Sequence, residues 1–217
     1  MLALENNQEI NLVDFGAGSS VTKNKKRKIS KIAEISTSSP KQCREIYRLV
    51  QYFKPALSIE LGTSLGISTA YIAKGHGRGQ VFSLEGDPAL SKIARLHLKS
   101  LLIKNVKILT GAFDETLPDL LQKVSSIDFV FMDGHHTYEA TIRYYKMMKK
   151  KLHENTVLVI DDIYWSTGML KAWQEIIQEP MVTLSIDLFN YGLVFFKKSI
   201  REQTHLKIVE QVYKPWM

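Results

Sequence analysis

The chain has 217 residues, of which 45% are hydrophobic, so it is long enough for one large domain with a substantial core. No apolar run approaches the roughly 18 residues that a membrane-spanning helix needs, and the N-terminus lacks the positive charge of a signal peptide. The single cysteine, Cys43, excludes an internal disulfide, and its helical spacing with apolar residues indicates a buried structural thiol. We therefore expect a cytoplasmic protein without membrane contact.

The net charge of +7 is concentrated in one short stretch. Six positive residues lie within positions 23–31, namely Lys23, Lys25, Lys26, Arg27, Lys28 and Lys31. Such a run suits a solvated arm, a handle for an anionic substrate or partner, or a tract resembling a nuclear-targeting signal. Because clustered like charges do not pack together cheaply, we expect residues 17–28 to be mobile without ligand.

Residues 13–20, VDFGAGSS, look like a nucleotide-binding glycine loop but lack its context. The apolar run before them is too short for a core strand, and KNKKRK follows instead of an apolar helix. We interpret them as a flexible segment that could close over a site. Residues 1–37 are then a flexible basic extension or lid, and residues 38–217 form the domain.

From residue 39 the sequence predicts alternating helices and strands. Ser39, Pro40 and Gln42 form a helix start, with a capping serine and proline at the first position, and this helix runs to Phe53. Strands are predicted at 56–61, 80–84, 106–110, 127–132 and 155–160, with amphipathic helices between them. A helix at 167–177 precedes two β-rich runs, 182–188 and 193–197, which flank the turn-like FNYG. The pattern predicts an α/β fold with a doubly wound, Rossmann-like, seven-stranded sheet, mostly parallel with an antiparallel C-terminal hairpin strand.

The stretch 57–69, LSIELGTSLGIST, reads as a strand, a tight turn and a helix start. Gly62 and Gly66 would let the backbone approach a ligand, and the helix start offers unpaired N–H groups to negative charge. Alone, this spacing fits an ordinary strand-to-helix connection equally well. The ends of the predicted strands favour a ligand site, because they carry a series of acids: Glu60, Glu85, Asp133, Asp161 and Asp162.

Five segments in this order resemble the class I S-adenosylmethionine-dependent methyltransferases, and among them the small O-methyltransferases typified by catechol and caffeoyl-CoA O-methyltransferase. The segments are IELGTSLGIS, VFSLEGDP, VKILTGAFDETLP, IDFVFMDGHHTYE and TVLVIDDI, within residues 57–163. The resemblance implies S-adenosylmethionine as cofactor and methyl transfer to a hydroxyl of a small-molecule acceptor. It implies cofactor contacts from Glu60, Gly62, Thr63, Ser64, Gly66, Ser68 and Asp133, ribose contacts from Glu85, and contacts around the adenine from Gly111, Ala112, Phe113 and Asp114.

The resemblance leaves two mechanisms open for removing the acceptor's proton. The family often binds Mg²⁺ through an aspartate after strand four and an Asp-Asn pair after strand five. Asp133 and Asp161 fit this register, and Asp162 replaces the asparagine, so the three are the candidate metal ligands. Alternatively, Asp133 orients the cofactor or its loop while Asp161 and Asp162 cap the next helix.

His136 stands where the metal-dependent members carry a catalytic lysine. An imidazole can accept a proton at neutral pH without a metal, and many relatives that methylate sugars or antibiotics share the pattern Asp-x-x-His-x-Tyr, matched here by Asp133, His136 and Tyr138. The plainer interpretation of His136 is a helix-start residue. We favour His136, with Asp133, as the catalytic pair.

Aromatic residues after strand five and in the hairpin turn, Tyr164, Trp165 and Tyr191, would suit a flat or apolar acceptor. The expected partner is that small molecule, with a homodimer as a further candidate. One alternative is a nucleic-acid or RNA methyltransferase, or a binding protein that uses the basic arm; this arm lacks interleaved aromatics, so it could bind phosphate but hardly read bases. A NAD-dependent oxidoreductase is disfavoured by Ser64, which stands where the dinucleotide fingerprint needs a glycine.

Overall fold

The computed structural model describes residues 5–12, 26–35 and 38–208. Its elements in chain order are β1 (Glu9–Asn11), β2 (Lys26–Lys28), α1 (Ile29–Ile35), α2 (Pro40–Phe53), β3 (Leu57–Leu61), α3 (Ile67–Gly75), β4 (Gln80–Glu85), α4 (Pro88–Ser100), β5 (Val106–Thr110), α5 (Phe113–Lys123), β6 (Ile127–Met132), α6 (Tyr138–Met148), a 3₁₀ turn (Lys149–Lys151), β7 (Leu152–Asp161), α7 (Thr167–Ile177), β8 (Leu184–Asp187), β9 (Tyr191–Phe195) and β10 (Thr204–Lys207). The predicted alternation of strands and helices from residue 39 onwards is confirmed, with small shifts at the strand ends.

The main sheet has eight strands in the order β10-β8-β9-β7-β6-β3-β4-β5. Strands β5, β4, β3, β6 and β7 are parallel, and β9 lies antiparallel to both β7 and β8, which confirms the predicted closing hairpin. The eighth strand, β10, pairs with β8 and was not predicted, because its sequence THLK is short, polar and mostly exposed. The order reverses between β3 and β6, so the loops that follow these two strands open onto one crevice.

Two apolar layers cover the sheet, as the alternation within β6 shows. Phe129 and Phe131 pack with the layer that includes α2 and α3, whereas Val130 and Met132 pack with the layer formed by α5, α6 and α7. Side chains of a strand alternate between faces, so a strand that is buried on both faces reads as a continuous apolar run. This double cover holds the strand ends, and therefore the loops of the site, in fixed positions.

The described part of the N-terminal extension packs on the domain. Strands β1 and β2 form a separate antiparallel pair, and α1 buries Ile29 and Ile32 in a small apolar cluster with Leu65. Residues 26–28, expected to be mobile, form β2 in the structure. The VDFGAGSS segment and the rest of the expected mobile stretch lie outside the described residues, and the division at residue 37 stays a prediction.

Cys43 is free and buried, as the sequence predicted. Throughout residues 5–12, 26–35 and 38–208, no helix combines the length and apolar character that crossing a membrane requires.

Candidate active site

The turn after β3 lies against the loop after β6. Gly62 has φ +102°, and a Cβ there would lie 2.0 Å from the carbonyl oxygen of Asp133, so only glycine allows the two loops to meet. Gly66, with φ +77°, forms the N-cap of α3 and faces Ala94, whose side chain would lie 3.1 Å from an added Cβ. The glycines therefore permit the contact between loops as well as close approach by a ligand.

Glu60 is fully buried beneath this turn. Its carboxylate accepts hydrogen bonds from the hydroxyls of Ser68 at 2.7 Å, Thr69 at 2.5 Å and Ser83 at 2.5 Å. Burial raises the pKa of Glu60 to about 7, and the three hydroxyl donors oppose that rise. Glu60 thus connects the first turn of α3 to β4 through hydrogen bonds. Direct contact with a cofactor by Glu60 or Ser68 stays a prediction.

Glu85 ends β4 and fastens the glycine turn to it. One carboxylate oxygen accepts the N–H of Ser64 at 2.7 Å, and the other accepts the N–H of Asp87 at 2.9 Å. Thr63 is buried below, with its hydroxyl 2.5 Å from that of Ser83. Burial raises the pKa of Glu85, and the backbone donors lower it. These donors include the N–H of Thr63, so of the about four acceptor positions of an ionised carboxylate about one stays open to a ligand hydroxyl.

The four residues predicted around the adenine have different surroundings. The N–H of Gly111 donates to the carbonyl of Glu85 at 2.9 Å, and Ala112 is half-buried just before α5. Phe113 is buried, and Asp114 accepts two hydrogen bonds from Arg143, at 2.6 and 3.0 Å. Gly111 and Ala112 are therefore beside Glu85, whereas the Phe113 ring belongs to the core and the Asp114 carboxylate to an ion pair.

Three aspartates meet beyond β6 and β7. The carboxyl groups of Asp133 and Asp161 lie close enough to shift each other's pKa. Burial and the charge of Asp161 raise the pKa of Asp133 well above its ordinary value. Burial and the charge of Asp162 raise the pKa of Asp161 to about 7. The cluster is therefore a proton-holding group near neutral pH.

Two polar residues of this cluster were not predicted for the site. Gln42 is buried, and its side-chain amide donates to Asp161, 119 residues further on. The hydroxyl of Ser38 donates to Asp133 at 3.3 Å. The predicted helix start is confirmed, because Ser39 accepts the N–H of Gln42 at 3.2 Å. A glutamine on the apolar face of α2 was the signal that could have revealed Gln42.

His136 lies between two of the aspartates. Its Nε2 is 3.6 Å from an oxygen of Asp133, its Nδ1 is 3.6 Å from an oxygen of Asp162, and its side chain is 24% exposed. Burial lowers the pKa of His136, and the charge of Asp162 opposes that shift. The ring is therefore neutral at pH 7 and can accept a proton. Tyr138, the third residue of the matched pattern, instead donates its hydroxyl to Glu175 on α7.

The donor set of the three aspartates consists of oxygens, as a hard cation requires, but it is not arranged around one point. Within the part of the chain that the structure describes, no three His, Cys, Asp or Glu side chains are placed to hold a metal ion. Asp133 and Asp161 shift each other's pKa, and Asp162 faces His136. The Mg²⁺ ligands stay a prediction. The alternative role of Asp161 and Asp162 as helix caps is wrong, because Ser166 caps α7.

The aromatic residues predicted for the acceptor side divide into two groups. The Tyr191 ring is buried and its hydroxyl donates to Glu45 at 2.9 Å. Tyr164 stacks on Phe189, with centroids 5.3 Å apart, while Trp165 and Phe189 are 62% and 60% exposed. Phe189 was not predicted for the site; it has φ +71°, and its turn lies next to Asp162, whose N–H donates to Asn190 at 2.8 Å.

The fold and site together define a Rossmann-like α/β protein in which a glycine turn bound by Glu85 lies against the loop that carries an acid-histidine cluster. Residues 59–163 match the family model described as a methyltransferase domain. The chain is also 27% identical over 128 residues to the catechol O-methyltransferase of Niastella koreensis, in an alignment covering 58% of this chain and 57% of that protein. The chain thus spans little more than half the length of this curated relative.

Solved structures show the same fold. The O-methyltransferase from Bacillus cereus, crystallised with SAH, superposes with a TM-score of 0.66 and 23% identity, covering 74% of this chain and 83% of that one. The O-methyltransferase TomG from Streptomyces achromogenes, involved in tomaymycin synthesis and crystallised with SAM, has a TM-score of 0.67 and 18% identity, covering 75% and 82%. The resemblance to class I methyltransferases drawn from the sequence is confirmed.

Proposed function

We propose that this protein transfers a methyl group from S-adenosylmethionine to a hydroxyl of a small-molecule acceptor. The observation that carries the proposal is that the Glu85-bound glycine turn and the neutral His136 lie at the same edge of the sheet, beyond β3, β4 and β6. The catechol O-methyltransferase of Niastella koreensis and the structures crystallised with SAH and SAM support it.

The cofactor half of the site fits S-adenosylmethionine. Glu85 has about one acceptor position left for a ribose hydroxyl, and Gly62 and Gly66 have the left-handed backbone that favours glycine. When bound, the cofactor supplies an electrophilic methyl group. Glu60, beneath the turn, keeps the first turn of α3 in place through the hydroxyls of Ser68 and Thr69.

His136 takes the acceptor's proton in this mechanism. Its ring is neutral because burial lowers its pKa, and it is still 24% exposed, so that the proton can later pass to water. Asp162, 3.6 Å from Nδ1, stabilises by its charge the imidazolium that forms, and Asp133 lies 3.6 Å from Nε2. Positioning of the hydroxyl in line with the methyl group supplies much of the remaining rate.

Mg²⁺ is the second candidate for activating the hydroxyl, because three carboxylates lie close together beyond β6 and β7. As placed, the three carboxylates do not surround one point, so Asp133, Asp161 and Asp162 would have to reorient to hold the ion, which would lower the pKa of a coordinated hydroxyl. The hydrogen bonds of Asp161 to Gln42 and of Asp133 to Ser38 would then orient the ligands. We further propose that the reaction is cytoplasmic and that the acceptor is a flat or apolar molecule; a homodimer stays a prediction.

A transfer assay with methyl-labelled S-adenosylmethionine tests this function. Catechols, phenols and hydroxylated apolar compounds serve as acceptors, with and without a chelator and with Mg²⁺ added back. Labelled product that persists under chelation supports His136, and product that appears only with Mg²⁺ supports the metal. Binding of S-adenosylmethionine without transfer to any hydroxyl, but with transfer to amine or thiol acceptors, would overturn O-methylation.

A further inference from the structure

A second concave surface lies at the opposite edge of the main sheet, where β3 and β4 begin. Its walls are the C-terminal end of α2, the residues leading into β3 and the loop between α3 and β4, and we call it the basic groove. Its volume is about 860 Å³, within the roughly 300–1,000 Å³ of ordinary ligand sites. The five-residue strand β3 separates it from the methyltransferase site by ~17 Å, so one small ligand cannot occupy both.

The basic groove carries three cations and no acid. Arg48, Lys54 and Arg78 line it, and the lining contains no Asp or Glu. Within the described residues, none of these three side chains forms a hydrogen bond or an ion pair, whereas other surface cations do, as Arg143 does with Asp114. Three unneutralised positive charges around a concavity attract an anion, and the surrounding protein focuses their field.

An aromatic ring stands among these charges. Tyr52 lines the groove, and with 79% of its surface exposed it is one of the most exposed large side chains described. Its ring meets Phe53 edge-on, with centroids 4.9 Å apart, so Phe53 supports the ring from one side. Surfaces that bind single-stranded nucleic acid combine cations along the phosphate backbone with an aromatic ring on which a base can stack.

We propose that the basic groove binds a nucleotide, either free or within a single strand, with phosphate on Arg48, Lys54 and Arg78 and the base stacked on Tyr52. The Lys-rich run at residues 23–31 lacks this combination, because no aromatic residue interrupts it. The proposal does not depend on methyl transfer, since the groove lies at the other edge of the sheet.

Fluorescence anisotropy with a labelled oligouridylate of about ten nucleotides, within the site sizes of single-strand binders, tests the groove on the full chain. Neutralising Arg48→Gln, Lys54→Gln and Arg78→Gln together should weaken binding about tenfold or more at low salt. If the three cations contact three phosphates, a plot of log affinity against log salt concentration should have a slope near −2 for the wild type. The same plot for the groove triple variant should be nearly flat.

The matched control removes the same charge elsewhere, through Lys123→Gln, Lys150→Gln and Lys198→Gln, all exposed. It should change affinity less than about threefold. Tyr52→Ala should weaken binding about tenfold while Tyr52→Phe keeps it, because the ring face stacks. Competition by AMP would identify free nucleotide as the ligand, and its failure beside tight oligonucleotide binding would identify a strand.

Two results would overturn the proposal: equal binding by the groove triple variant and the control triple variant, or unchanged binding by Tyr52→Ala. Calorimetry with S-adenosylmethionine on the groove triple variant checks that the fold and the methyltransferase site are intact. If the wild type shows no methyl transfer, the oligonucleotide assay can still give its expected result. The two proposals therefore fail separately.

Discussion

The two halves of the proposed methyltransferase site are built differently. The cofactor half, formed by the loops after β3, β4 and β5, has polar groups held by short hydrogen bonds, such as the three hydroxyl donors on Glu60. The acceptor half, formed by the loops after β6 and β7 and the turn before β9, combines the hydrogen bond of Gln42 to Asp161 with two looser contacts of 3.6 Å around His136. Its aromatic rings, Trp165 and Phe189, are mostly exposed.

This difference assigns cofactor binding to the first half and the chemical step to the second. The cofactor half is preformed, so it can bind a constant part of the reaction without rearranging. Burial raises the pKa of acids in both halves, Glu60 in the first and Asp133 and Asp161 in the second, but only the acceptor half places such acids beside a histidine. Substitutions in the first half should therefore change cofactor affinity, and substitutions in the second should change turnover.

The largest effect is expected at Gly62. In Gly62→Ala the new Cβ would clash with the carbonyl of Asp133 and force a strained φ, so S-adenosylmethionine should bind more than about a hundredfold more weakly or not at all. Gly168→Ala is the matched control, since its Cβ would find only ordinary contacts at 3.5 Å or more. Calorimetry on folded samples measures both, and wild-type affinity in Gly62→Ala would show that the two halves are not in contact as described.

His136→Ala should lower kcat by about a hundredfold or more while leaving cofactor affinity unchanged, because the ring acts on the acceptor alone. Since burial lowers the pKa of His136, the wild-type rate should be level at neutral pH and fall only below pH 6.5, where the ring protonates. Steady-state rates from pH 5 to 8 measure both effects. His136→Ala with full activity in a chelator would exclude both the base and the metal.

The buried Glu60 predicts how stability depends on pH. Its pKa in the folded protein is about 7 against 4.5 ordinarily, so the folded state holds the proton more tightly, and the free energy of unfolding should fall as pH rises between these values. Between pH 5 and pH 8 the free energy of unfolding of Glu60→Gln should fall by about 2 kcal/mol less than that of the wild type. Urea denaturation at pH 5 and pH 8, with exposed Glu154→Gln as control, measures it. Equal pH dependence in wild type and Glu60→Gln would mean that Glu60 is ionised throughout.

The smallest effect is expected at Gln42. Removing the amide that donates to Asp161 in Gln42→Ala should lower kcat/KM for the acceptor about tenfold, the worth of one hydrogen bond to a charged group. Cofactor affinity should not change, which sharpens the division between the halves. Gln51→Ala, exposed on the same helix, is the control. A change in cofactor affinity without a change in kcat/KM would contradict the assignment of Gln42 to the acceptor half.

The strand, turn and helix that carry the cofactor half were predicted from the sequence, and the cofactor contacts of their residues stay predictions. Glu60 binds residues 8, 9 and 23 positions away, and Glu85 binds Ser64 only 21 positions away, so the strand-turn-helix pattern contains the information. The acceptor half depends on pairs 95 and 119 positions apart, Ser38 with Asp133 and Gln42 with Asp161. Hydrophobic periodicity cannot bring such pairs together, and it also missed β10, whose four residues lack an apolar pattern.

Calorimetric titration with S-adenosylmethionine and its demethylated product tests the central claim most directly. Both should bind the wild type, and Glu85→Ala should weaken both by roughly 1–3 kcal/mol, as expected when hydrogen bonds to a charged group are lost. Glu154→Ala, which removes an exposed acid from β7, should bind like the wild type. Tight binding of NADH with no binding of S-adenosylmethionine would contradict the assignment of this crevice to methyl transfer.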